Sequence, residues 1–156
     1  MTTLPVAQNL LRTGDWCQAQ ARCALSYDDR FFRRKKLTTE AGWSFIADFA
    51  KTVSLNDGDA LQLTDHRLVA VTAAPEALLA VTGDLTRLAW HIGNRHTPCQ
   101  VEPGRLLIQD DPVIAQMLAQ LGAAVTPVTE PFTPEGGAYG LGRTHSHSHA
   151  DNDHAH

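Results

Sequence analysis

The chain has 156 residues, 43% of them hydrophobic, and a formal net charge of −4. This length supports one ordinary domain or two very small ones. No apolar run approaches the ~20 residues of a membrane span, and the negative charge argues against a general nucleic-acid binder. The three cysteines (Cys17, Cys23 and Cys99) do not resemble a disulfide framework. With no secretory signal at the N-terminus, we expect a soluble cytoplasmic protein.

Residues 1–73 are predicted to form a β-rich domain. A short apolar run at Ala24–Tyr27 precedes two strands, at Arg33–Leu37 and Trp43–Phe49, which flank a turn over residues 38–42. A hairpin is expected from Leu61–Leu63 and Leu68–Val71. His66 lies in that hairpin turn, where we expect an exposed histidine without a function.

The segment Arg30–Lys36 allows two interpretations. Basic residues beside aromatic ones can bind RNA. The alternative, which we favour, is an edge strand whose charges prevent pairing with other sheets, or a surface for a protein partner.

A domain boundary is predicted at residues 73–76, and a second domain at residues 74–140. An apolar strand at Ala77–Val81 comes first. Asp84 then caps a helix whose apolar residues have the i, i+3, i+4, i+7 spacing, and Gly93 suits the C′ position that ends it. The apolar residues of this helix are Leu85, Leu88, Ala89 and Ile92.

The remaining elements complete the order β-α-β-β-α-β. Strands are expected at residues 100–101 and 106–108, and Asp111 followed by Pro112 begins a second helix that Gly122 ends. A last strand covers residues 123–128. The predicted fold class is therefore α+β, with a β-rich N-terminal domain followed by a ferredoxin-like C-terminal domain.

Residues 141–156 are predicted to be a disordered, histidine-rich tail. Five of the eight histidines fall in residues 145–156, with aspartates between them. Alternate side chains of an extended chain point the same way, so several imidazoles can converge on one ion. Imidazole suits nickel, copper and zinc. The predicted ligands are His145, His147, His149, His154 and His156. The alternatives are a solvated polar tail or an irregular purification tag.

The loop from His91 to Cys99 is the second candidate site. His96 precedes Pro98 on a constrained loop, although a single loop histidine is more often a surface residue than a metal ligand. Cys99 forms an H-x-x-C pair with it or is a buried structural cysteine, which we favour. His91 lies five residues earlier, which is not the i, i+4 spacing of two ligands on one helical face.

The motif Gly93-Asn94-Arg95-His96-x-Pro98 closely resembles the signature of the UreE family of urease accessory proteins, which act as nickel chaperones. The basic segment, the Asp57-Gly58-Asp59 turn and the segment 132–139 before a histidine-rich tail also resemble this family. The likeness covers most of the chain. Some members carry histidines just before the second helix, whereas this chain has Asp110 and Asp111 there.

The resemblance implies a homodimer in which His96 from both subunits meets one Ni²⁺ ion, with Cu²⁺ and Zn²⁺ as competitors. It also implies delivery of nickel to apo-urease with the other accessory proteins, including the GTPase UreG, and an N-terminal domain that binds a peptide or partner. The expected function is therefore a nickel metallochaperone; the alternative is a passive nickel store. An enzyme is not expected, because metal-dependent catalysis needs about three rigidly held ligands.

Overall fold

A computed structural model of the chain describes residues 3–136. It divides into two compact units between Ala74 and Pro75. The first unit contains a six-stranded sheet, and the second contains a four-stranded sheet and two α-helices. The predicted α+β class is confirmed. No helix within residues 3–136 is long and apolar enough to cross a membrane. The predicted tail, residues 141–156, lies outside the described residues.

The first unit is built from six strands in the spatial order β2-β6-β5-β1-β4-β3. Two neighbouring pairs, β1 with β4 and β2 with β6, are parallel, and the other pairs are antiparallel. The strands are β1 (Val6–Leu11), β2 (Ala21–Leu25), β3 (Phe31–Thr38), β4 (Ser44–Ser54), β5 (Ala60–Leu63) and β6 (Leu68–Ala73), with a short 3-10 helix at Asp28–Arg30 before β3.

Alternating burial explains most of these strands. In β4 the side chains of Phe45, Ala47 and Phe49 are buried, while their neighbours are partly buried or exposed. This is the period of two expected when one face of a strand covers a core. The predicted hairpin of β5 and β6 is confirmed as an antiparallel pair in which Gln62 faces Leu68.

Strand β1 was not predicted, because its own residues do not alternate. Only Ala7 is fully buried, and the polar Asn9 lies at a register shift. The strand is held on both sides, with Val6 opposite Ile46 in β4 and Leu11 opposite Ala60 in β5. Partners this distant in sequence leave no local pattern in β1 itself.

The basic segment forms β3, an edge strand of the sheet. Arg30, just before it, is buried, and its guanidinium donates hydrogen bonds to the carbonyls of Leu25 at 2.9 Å and Leu55 at 3.2 Å. Arg34 forms an ion pair with Asp48 at 2.7 Å. These interactions favour the charged edge strand over an RNA-binding surface.

The second unit has the predicted element order β-α-β-β-α-β. Its sheet has the spatial order β10-β7-β9-β8 and is antiparallel throughout. Both helices pack on one face of it, with Leu88, Ile92, Ile114 and Leu118 against Leu79, Val81, Leu106 and Ile108. The elements are β7 (Pro75–Thr82), α1 (Leu85–Asn94), β8 (Gln100–Glu102), β9 (Arg105–Gln109), α2 (Pro112–Gln120) and β10 (Ala124–Pro131).

Candidate metal centre

Helix α1 carries the histidine loop at its C-terminal end. The Asp84 carboxylate accepts a hydrogen bond from the backbone N–H of Arg87 at 3.4 Å, which confirms the predicted N-cap. The buried residues Leu88 and Ile92 lie one turn apart and anchor the helix on the sheet. The direction of α1, and therefore the position of the loop that follows it, is fixed by this packing.

The predicted end of α1 at Gly93 is wrong. The helix continues to Asn94, Arg95 is the C-cap, and the backbone reverses at His96, which has φ 57°. The N–H of His96 donates to the carbonyl of Gly93 at 2.9 Å, and the N–H of Thr97 donates to that of Ile92 at 3.3 Å. This hydrogen-bond pair is the Schellman motif, and His96 occupies the left-handed C′ position within it.

Helix α2 ends with the same motif. Its C-cap is Leu121, and Gly122 follows with φ 88°. The N–H of Gly122 donates to Ala119 at 3.0 Å, and the N–H of Ala123 donates to Leu118 at 3.0 Å. Glycine adopts this backbone conformation without the steric conflict that a Cβ atom creates. The two helix ends thus share one backbone geometry but have different residues at C′.

The backbone of His96 has a strained conformation. A non-glycine residue in the left-handed region costs about 1–2 kcal/mol, and the side chain of His96 is exposed. Within residues 3–136 the only other non-glycine residue with positive φ is His66, in the β5–β6 turn, at 76°. Strained residues of this kind concentrate at functional sites, so backbone strain alone makes both histidines candidates. His96 is the stronger one because it also lies in the Gly93-Asn94-Arg95-His96 motif.

The other two candidates of the loop, Cys99 and His91, have contacts within the second unit. Cys99 is half-buried against the core of the second unit. Burial, with a smaller contribution from the Glu135 carboxylate, raises the pKa of its thiol to about 11. Thiols bind metals as thiolates, so this burial works against Cys99 as a metal ligand near neutral pH. His91 contacts the Trp90 ring edge-on, with 5.1 Å between ring centroids.

The two aspartates before α2 differ in their surroundings. The Asp111 carboxylate accepts hydrogen bonds from the N–H groups of Val113 at 2.9 Å and Ile114 at 3.2 Å, so the predicted N-cap is confirmed. Asp110 is exposed. Across residues 3–136 no three histidine, cysteine, aspartate or glutamate side chains come together as a metal site. The tail candidates His145, His147, His149, His154 and His156 lie outside the described residues.

Sequence reasoning did not single out Trp90. Its side chain is 63% exposed, although it belongs to the helix that ends in the His96 loop. The apolar spacing assigned Leu85, Leu88 and Ile92 to the buried face of α1 and left Trp90 off it. A tryptophan on the solvent face of an amphipathic helix was therefore the available indication.

Comparison with known proteins covers both units. Residues 4–74 match the family model described as the N-terminal domain of the UreE urease accessory protein, and residues 67–156 match that of its C-terminal domain. A urease accessory protein UreE of Ruegeria pomeroyi is 62% identical over 94% of this chain and 99% of its own length.

Two further relatives carry the same name. The protein of Cereibacter sphaeroides is 57% identical over 96% of this chain and 82% of its own, and that of Rhodobacter capsulatus is 51% identical over 96% of each. These matches extend over both units and the segment beyond residue 136. The chain therefore belongs to the UreE family of urease accessory proteins, and it is an accessory protein rather than an enzyme.

Proposed function

We propose that this protein is a nickel metallochaperone that delivers Ni²⁺ to apo-urease while the urease metallocentre is assembled. Its C-terminal unit is then a ferredoxin-like metal-binding domain, in accord with the strand order β10-β7-β9-β8. The observation that carries the proposal is the residue at the end of α1. The backbone there favours glycine, yet the chain places an exposed imidazole at His96.

A single copy offers this ion too few ligands. His96 has no two further histidine, cysteine or acidic side chains clustered with it among residues 3–136. We propose a homodimer in which His96 from each copy contributes one imidazole and water or other groups complete the coordination. The exposed Trp90 on the same helix supports this arrangement, because tryptophan is enriched at the centres of protein interfaces.

Few protein ligands suit a carrier, because the ion must leave again. In our proposal the tail residues His145, His147, His149, His154 and His156 collect ions and exchange them with the His96 site. Attachment to the same chain makes that exchange intramolecular. Imidazole ligands do not select nickel by affinity, since Cu²⁺ binds more tightly and Zn²⁺ competes. Specificity for nickel then comes from the partners.

We assign recognition of those partners to the N-terminal unit. Candidate partners are the urease apoprotein and accessory proteins including the GTPase UreG, in the cytoplasm. The unit contains a cleft of about 750 Å³ lined by Trp16, Arg22, Glu40 and Asp57 among others. A cleft with both charges and an aromatic wall has the polar and apolar groups that a peptide segment needs.

The test is a calorimetric nickel titration of four proteins: the full chain, a chain ending at Arg143, His96→Gly and His66→Gly. Glycine adopts the left-handed backbone readily, so each substitution removes an imidazole and is compatible with the backbone conformation of its loop. We expect His96→Gly to lose the tightest site and to keep weaker tail binding. The truncated chain should keep the tightest site and bind fewer ions.

The matched control is His66→Gly, which removes a histidine with the same backbone conformation from the other unit and should leave every site unchanged. Retention of all tight binding by His96→Gly would contradict the proposed site. A cellular measurement distinguishes a nickel metallochaperone from a passive nickel store. Under nickel limitation, deletion of the gene should lower the nickel content of urease, whereas loss of a store would leave the insertion step intact.

A further inference from the structure

The chain crosses the second unit after β10 and reaches the opposite edge of the sheet. Strand β10 forms one edge and β8 the other. Phe132 is fully buried, and the N–H of Thr133 donates to the side-chain oxygen Oε1 of Gln100 at 2.8 Å. The N–H of Glu135 donates to the carbonyl of Cys99 at 2.8 Å. We call these two contacts, of Thr133 with Gln100 and of Glu135 with Cys99, the clamp.

Gln100 is suited to this contact because both ends of its amide are used. Its Nε2 donates to the Glu102 carboxylate at 2.6 Å, which turns Oε1 toward Thr133, where it also lies 3.3 Å from the hydroxyl. An amide can donate and accept at once, whereas a carboxylate or an ammonium cannot.

The support for Gln100 extends to β10. The other Glu102 oxygen accepts from Nε of Arg105 at 2.8 Å, and the Arg105 guanidinium donates two further hydrogen bonds to Glu130 at 2.9 and 2.6 Å. These bonds hold the pKa of the Glu130 carboxyl below its usual range. The network joins β8, β9 and the end of β10. It therefore holds both Gln100 and the strand that leads into Thr133.

The clamp lies close to His96 along the chain. Cys99 follows His96 by three residues, so their Cα atoms are at most about 11 Å apart, given ~3.6 Å per extended residue. Glu135 precedes His145 by ten residues. If the clamp opened, the last anchored residue would be the buried Phe132, which follows the edge strand β10 and precedes His145 by thirteen residues.

We propose that Gln100 is a positioning residue for metal transfer. By holding Thr133 and Glu135 it fixes, close to the His96 loop, the point from which the chain continues toward the histidine-rich residues. This placement sets the rate of ligand exchange between those residues and His96. The inference rests on the proposed function. Effective concentration falls roughly as the −3/2 power of tether length, so release of the clamp should slow the exchange by roughly 1.5-fold.

The test uses proteins loaded with half an equivalent of nickel, so that the tightest site fills first. The rate of nickel release to an excess of a coloured chelator is compared in the full chain, Gln100→Ala, the chain ending at Arg143, and Gln62→Ala. The last variant is the matched control, since Gln62 lies on β5 in the other unit. Amide hydrogen exchange at Thr133 and Glu135 reports the clamp itself.

We expect Gln100→Ala to lose amide protection at Thr133 and Glu135, to keep the nickel affinity of the tightest site, and to release nickel more slowly, approaching the truncated chain. The double variant Gln100→Glu/Glu102→Gln exchanges the amide and the carboxylate, keeps an acceptor for Thr133, and should restore both protection and rate. Gln62→Ala should behave as the unmodified chain.

Three outcomes would overturn the clamp alone: unchanged protection in Gln100→Ala, lost protection with an unchanged release rate, or a changed affinity of the tightest site. The last would mean that Gln100 acts on the site itself. Equal release from the full and truncated chains would instead remove the tail's proposed role in supply, and the clamp's function with it. A failure of the His96 site appears separately, in the titration of His96→Gly.

Discussion

The two helices of the C-terminal unit end in the same hydrogen-bond pattern with different residues at the reversal. Gly122 ends α2 with φ 88°, and His96 ends α1 with φ 57°. The backbone requirement is met at lower cost by glycine. Since the geometry is shared, it does not account for the histidine. Helix termination therefore depends on the backbone conformation alone. The presence of histidine at position 96 is explained by its side chain.

Exchanging the two residues tests this comparison most directly. We expect Gly122→His to lower the free energy of unfolding by about 1–2 kcal/mol, because a Cβ there meets nothing within 4 Å and only the left-handed backbone is penalised. We expect His96→Gly to raise it by about 1 kcal/mol. The measurement is urea unfolding with a chelator present.

Gly104→His is the control for this exchange, since its added Cβ also has open space and its φ lies outside the left-handed region. If Gly104→His and Gly122→His destabilised the protein equally, the left-handed backbone would not be the cause. If His96→Gly lowered the stability, the imidazole would be holding the loop in place, and the argument from strain would fail.

The starts of the same helices extend the comparison to smaller effects. Asp111 accepts two backbone hydrogen bonds, at 2.9 and 3.2 Å, whereas Asp84 accepts one at 3.4 Å. We expect Asp111→Ala to cost about 1–2 kcal/mol and Asp84→Ala about 0.5 kcal/mol. The corresponding asparagine variants retain an acceptor and should lose less stability. A larger loss at Asp84 than at Asp111 would contradict these cap geometries.

The smallest expected effect concerns Cys99, and it tests whether the imidazole alone carries the function of the α1 loop. The pKa of Cys99 is raised from 9.0 to about 11, so folding favours the thiol form. Its contribution to stability is fully present below pH 9 and is lost as the pH rises toward 11. Cys99→Ala should therefore leave nickel affinity unchanged at pH 7.

Alkylation with iodoacetamide at pH 8 provides the direct measurement. The exposed Cys17 should be modified first, and the half-buried Cys99 and buried Cys23 much later. The pKa of Cys23 is likewise raised to about 11, by burial and by Glu40. Modification of Cys99 as fast as Cys17 would mean that its thiolate is accessible, and would return Cys99 to the set of candidate ligands.

Local residue patterns predicted the elements whose causes are local. Asp84 and Asp111 marked the helix starts, and the spacing of Leu85, Leu88 and Ile92 marked the buried face of α1. The end of α1 was misplaced because glycine is the usual residue at C′, and Gly93 was the nearest one. Sequence pattern alone left His96 as an ordinary loop histidine, and its family motif singled it out.

Features that depend on distant partners were not predicted. Strand β1 is defined by β4 and β5 on either side, and the clamp joins Gln100 to Thr133, thirty-three residues later. Neither the pairing of β1 nor the clamp produces a periodic pattern in the residues that form it. The metal centre shares this property in our proposal, because the second imidazole of the His96 site comes from another copy of the chain rather than from a neighbouring residue.

The backbone at His96 has a practical consequence for protein engineering. A screen that rewards only thermal stability should enrich glycine at position 96, since the substitution relieves strain without opening a cavity. Libraries of this protein selected for heat resistance would then accumulate well-folded variants that lack the imidazole of the proposed nickel site. Selection schemes should therefore score metal transfer alongside stability at this one position.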